Sequence, residues 1–184
     1  MLKIKKEDID HWSEEAYTIA VEHGWHEQEY SYHHWYAMIV SEMFEAMEAE
    51  RKGLRAKIGS FHVNELIEST ELFEKYIKDT FEDELADVCI RCFDFMGLND
   101  IRLKNNVDSW PEFKTTDVFT EYIYHMMDIV TMKDNDLRPK DKCFFILAII
   151  VNICNLKNID INQFIKMKME YNKNRQYKHG GKKY

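Results

Sequence analysis

Two pairs of acidic side chains carry the chemistry this sequence offers. Glu42 and Glu45 are three residues apart, and so are Glu84 and Asp87. At i, i+3 on a helix, each pair projects from adjacent turns of one face. Advancing 100° per residue puts Trp35, Met38, Ile39 and Ala46 within about 60° of Glu42. Glu84 lies beside the apolar line of Phe81, Leu85, Val88, Cys92 and Phe95. Both pairs therefore sit at the edge of a buried stripe, where a carboxylate needs a partner. Ordinary ion pairs are one answer: Arg51, Lys52 or Arg55 for the first pair, and Asp87–Arg91 and Arg91–Asp94 for the second, each worth a few tenths of a kcal/mol. Convergence is the other. Two helices packed at about 8–10 Å would bring four carboxylates together, and their repulsion would require a cation. With only hard oxygen donors, Mg²⁺ is the expected ion.

A second row complements the first. Ile161, Phe164 and Ile165 form an apolar stripe that continues, on the same helix face, into Lys168, Asn172 and Arg175. Lysine offers a point charge to phosphate, arginine a planar fork, and asparagine an amide for sugar or base. The plain alternative is a solvated helix end whose cations complement the C-terminal dipole. Acids that hold Mg²⁺, facing a Lys/Asn/Arg row, make a polyphosphate site. A di-iron carboxylate bundle would need Glu-x-x-His on two helices, whereas the nearest pairing is Glu121 with His125, four apart. Cys89 and Cys92 have CxxC spacing, but Cys143 and Cys154 are eleven apart, so a four-cysteine zinc site lacks its second half.

The elements that position these groups are helices. The 184 residues, with only two prolines, fit one domain spanning 1–184, and a 45% hydrophobic, 32% charged composition is that of a globular chain. Periodicity between the glycines and prolines predicts helices at about 7–23, 33–52, 62–78, 81–96, 116–132, 140–156 and 160–176. The expected class is all-α, and no glycine-rich strand-loop-helix unit supports a Rossmann or P-loop site. The net charge of −8 argues against nucleic acid and anionic membranes as partners. It is uneven: residues 166–184 carry seven Lys or Arg and one acid, a basic arm of +6 on a body of −14. The apolar run from Cys143 to Cys154 is about half of a membrane span. Met1 to Asp10 does not resemble a secretory signal, and the four cysteines fit reduced core thiols. A cytoplasmic location is expected.

The stretches SEMFEAMEAERKG (41–53), FEDELADVCIRCFDFMG (81–97) and KMKMEYNKNRQYKHGGKKY (166–184) resemble the MazG-like all-α nucleotide pyrophosphohydrolases. They cover about a quarter of the chain. The resemblance implies Mg²⁺-dependent cleavage of a nucleoside triphosphate between its α- and β-phosphates, with Mn²⁺ able to substitute, releasing monophosphate and pyrophosphate in a house-cleaning or nucleotide-pool role. It implies that Glu42, Glu45, Glu84 and Asp87 bind metal, that Lys168 and Asn172 contact the nucleotide, and that Arg175 meets phosphate. Family sites stack the base on aromatics just ahead of the ExxE helix, and Trp35, on the Glu42 face, is the first choice here, against a plain core role. The sequence departs from the compact pattern in two places. Thirty-eight residues separate Glu45 from Glu84, and two extra helices precede the last one. A homodimer or higher homo-oligomer is expected, although those helices can supply within one chain the covering that compact members take from a partner. The alternative function is a non-catalytic helical module for nucleotide sensing or protein interaction.

Overall fold

The computed structural model describes residues 4–59, 61–102, 116–181 and 183. Pro111, Lys182 and Tyr184 lie outside the described residues. Every regular element among those described is a helix: α1 (Lys6–Glu22), α2 (Tyr32–Lys52), α3 (Val63–Glu68), α4 (Thr70–Tyr76), α5 (Phe81–Leu98), α6 (Phe119–Thr131), α7 (Pro139–Lys157), α8 (Ile161–Lys173) and the short α9 (Lys178–Gly181). The all-α expectation holds.

α5 is the axis of the molecule and packs against α1, α2, α7 and α8. Its sequence explains the position. Phe81, Leu85, Val88, Cys89, Cys92, Phe93, Phe95 and Met96 are buried around nearly its whole circumference, the pattern of a helix enclosed on all sides. Its first turn holds Glu82, Asp83 and Glu84, where the positive end of the helix dipole favours negative charge. α1 crosses so closely that a Cβ on Gly97 would run into the Ser13 carbonyl and Tyr17; only glycine permits that approach. α7 begins with Pro139 in its first turn and is buried along its centre from Ile146 to Val151. It meets α8 at 117°, and among the described residues no single helix is long and apolar enough to cross a membrane. All four cysteines are buried free thiols.

Two boundaries differ from the sequence reading. The helix expected over 62–78 breaks at Ser69, which is extended (φ −121, ψ 104), and its Oγ accepts from the Leu72 amide at 3.3 Å. A serine hydroxyl that caps a new helix competes with continuation of the old one. The last long helix stops at Lys173 instead of 176, and the chain turns through α9, where His179 (φ 47) and Gly180 (φ 85) are left-handed.

Candidate active site

Glu42 on α2 and Glu84 and Asp87 on α5 bring one carboxylate oxygen each to within 4.8 Å of one another. Glu42 and Glu84 are buried and Asp87 is half-buried. Glu45 lines the same cavity but is exposed and stands outside this triplet, so three of the four expected ligands converge. The local ion pairs that could have absorbed these acids do not form among the described residues. Arg51 and Lys52 pair with Glu48, and Arg55 pairs with Glu50. Arg91 reaches across to Glu42, its Nε donating to Oε1 at 2.9 Å. Asp94 is taken by His26 at 2.7 Å.

Lys168 arrives from α8 and is buried, at 5% exposure. Its Nζ lies 2.8 Å from Asp83 Oδ2 and 2.7 Å from Asp87 Oδ2, with Phe73 and Tyr171 beside it. The resemblance assigns this lysine to the nucleotide. Its ammonium is the counter-charge of buried Asp83 and half-buried Asp87, and Asp83 has no place in the acid pairs read from the sequence. Asp83 Oδ2 also accepts from the Asp79 amide at 3.0 Å.

The electrostatics are those of a site with too few cations. Burial, reinforced by Asp87, pushes the Glu84 carboxyl up to about 9. Burial pushes Asp83 up to about 7 against the pull of Lys168, and raises Glu42 against the pull of Arg91. Burial alone would lower the Lys168 ammonium, but Asp87 and Asp83 hold it above its ordinary value. Glu84 Oε2 is buried without a hydrogen-bond partner, as are Asp83 Oδ1 and Asn172 Oδ1. Unanswered buried carboxylate oxygens are costly, and three converging hard oxygens fit a hard divalent cation. The residues present could therefore hold a divalent metal ion.

A cavity of about 190 Å³ runs past this cluster. On one side of the acids Lys78, Lys168, Asn172 and Arg175 form a cationic and amide wall. Ala16 and Ala20 of α1 and Ile90, Arg91 and Asp94 of α5 also line it. Asn172 and Arg175 thus stand where the sequence placed them. Trp35 does not line the cavity: it is 5% exposed and stacked on His26 at 4.8 Å, the core role. The aromatic that does line it is Trp25, edge-on to His179 at 5.0 Å. Trp25 is one of the aromatics the sequence offers ahead of the ExxE helix, where Trp35 is preferred for sharing the Glu42 face; Lys78 and His179 carry no sequence signal because they stand outside the long helices, where periodicity is silent.

The C-terminal segment closes this end. His23 Nε2 donates to the Arg175 carbonyl at 2.9 Å, Lys178 pairs with Glu27 at 2.7 Å, and the Tyr177 hydroxyl also donates to Glu27. Gly24, left-handed at φ +79, sits directly under the Tyr177 ring. No family model, no curated protein and no solved structure matches this chain.

Proposed function

We propose that the chain is a Mg²⁺-dependent nucleoside triphosphate pyrophosphohydrolase of the MazG-like type, releasing monophosphate and pyrophosphate. The observation that carries the reading is the convergence of Glu42, Glu84 and Asp87, with a buried unpartnered oxygen on Glu84, beside the wall formed by Lys78, Asn172 and Arg175. Acids alone would repel a polyphosphate, and cations alone would bind it without hydrolysing it. Their adjacency supports both binding and turnover.

Glu42, Glu84 and Asp87 would hold Mg²⁺, or Mn²⁺ in its place. Such an ion, when bound, supplies charge neutralisation for the phosphate chain and a water of lowered pKa. The chain's own residues do the rest. Arg175 and Lys78 attract and orient the β- and γ-phosphates, and Asn172, whose amide oxygen has no internal partner, would accept from a sugar hydroxyl. Lys168 fixes Asp87 from behind through the Asp83 pair. Glu45, exposed on the cavity wall and outside the triplet, would take the proton of the attacking water.

The test is metal-dependent release of pyrophosphate from a panel of ribo- and deoxyribonucleoside triphosphates. Turnover with Mg²⁺ that is abolished by Asp87→Ala is expected. Nucleotide binding without pyrophosphate release would overturn the reading in favour of a sensing module.

A further inference from the structure

Seven residues beyond Asp87 on α5, about 10 Å along the axis and on nearly the same face, Asp94 lines the same cavity, far along α5 from Lys78, which precedes the helix. It is 4% exposed, and a carboxylate is not left there without a reason. Arg91 adds its charge nearby, but its Nε bonds Glu42 and the side-chain partner at hydrogen-bond distance from Asp94 is His26. His26 does hold it: Nε2 lies 2.7 Å from Asp94 Oδ1. A carboxylate oxygen only accepts, so Nε2 carries the proton. His26 is itself fixed by stacking on Trp35 and by the edge of Tyr17, at 4.8 and 5.0 Å. Three aromatic groups thus orient one carboxylate towards a cavity whose flanks, Ala16, Ala20 and Ile90, are small or flat enough to admit a planar ring.

The spacing matches a nucleotide. With the outer phosphates towards Lys78 and the α-phosphate at the acid triplet, the far edge of the base reaches the level of Asp94, about 10 Å along α5 from Asp87. One carboxylate oxygen is taken by His26, and a carboxylate offers a ligand an acceptor. Resting on the pyrophosphohydrolase reading, we infer that Asp94 is the base-selecting residue and that it accepts a hydrogen bond from an amino group, so the site takes cytosine or adenine nucleotides in preference to their keto counterparts. His26 is a positioning residue that acts through Asp94.

The experiment is calorimetric binding of α,β-methylene triphosphates in Mg²⁺, comparing cytidine with uridine and adenosine with inosine, so that no turnover is required. Wild type is expected to favour the amino member of the better-bound pair about tenfold or more, because a buried acceptor left facing a carbonyl is penalised. In Asp94→Asn the amide oxygen stays with His26 Nε2–H and turns the NH₂ donor to the cavity, so the preference is expected to move towards the keto member. His26→Leu is expected to bring the ratio close to one, and His26→Gln, which retains a donor, to restore it. A merely structural role would weaken both members of a pair alike. An amino-to-keto ratio near one in wild type, or a ratio unchanged in Asp94→Asn, overturns the inference. Pyrophosphate release without such a ratio would leave the function standing and remove only this assignment, whereas binding selectivity without pyrophosphate release would do the reverse.

Discussion

Glu84→Gln is the sharpest perturbation of the acid cluster, because glutamine keeps the shape and removes the charge. The carboxyl's ordinary value is 4.5, and burial with Asp87 beside it raises this to about 9 in the fold. Between those values the folded chain binds more protons than the unfolded one, so stability falls as pH rises through the window. Each pH unit costs about 1.4 kcal/mol, so the metal-free protein is expected to lose about 3 kcal/mol between pH 4.5 and 7 from this group. For a chain of this size that corresponds to a fall in Tm of about 6–12 °C. Asp83, raised from 3.8 to about 7, works in the same direction at lower pH. Differential scanning fluorimetry in EDTA from pH 5 to 8.5 reads the effect. Glu84→Gln should flatten the upper part of the profile and melt several degrees above wild type at pH 8. Millimolar Mg²⁺ should raise wild type, by about 2.7 kcal/mol at one hundred times its Kd, and leave the variant nearly unmoved. A metal-free wild type whose Tm does not fall between pH 5 and 8.5, or a variant as responsive to Mg²⁺ as wild type, would refute the reasoning.

Lys168→Met leaves Asp83 and Asp87 without their counter-charge and should cost about 3–5 kcal/mol of stability, seen as a lower denaturant midpoint, with Asp83→Asn in the same chain recovering part of it. Gly24→Ala combines a strained left-handed residue with displacement of the Tyr177 ring and should destabilise by about 1–2 kcal/mol. Because it loosens the segment that brings His179 to the cavity, it should also raise KM more than it lowers kcat in a pyrophosphate-release assay. Arg175→Ala should weaken triphosphate binding far more than monophosphate binding, measured by calorimetry.

The part of the site legible in the sequence is the part built on helix periodicity. Glu42 and Glu84 fall inside apolar stripes, so their burial follows from spacing alone, and Asp87 shares the Glu84 face. The same arithmetic misleads at the edges. Glu45 is one step around the helix from Glu42, enough to leave it exposed. Trp35, two turns before Glu42 on the same stripe, meets the core instead of the cavity because a stripe that packs against α5 along its length opens to the cavity only at one level. The Lys168–Asp83–Asp87 contact depends on how α8 crosses α5, which no pattern within either helix encodes. The break at Ser69 is a contest between a side-chain cap and a continuing helix, and the apolar spacing on either side reads the same for both outcomes. His26 and Asp94, 68 residues apart, meet only because Gly97 lets α1 lie close and carry the following loop over α5.

The central claim is that this cavity directs water to the α-phosphorus of a nucleoside triphosphate. Hydrolysis in ¹⁸O-labelled water with Mg²⁺, followed by mass spectrometry of the products, tests it most directly. The label is expected in the nucleoside monophosphate, with unlabelled pyrophosphate beside it and no products from Asp87→Ala. Label in pyrophosphate or in inorganic phosphate, or product formation that persists in Asp87→Ala, would contradict it.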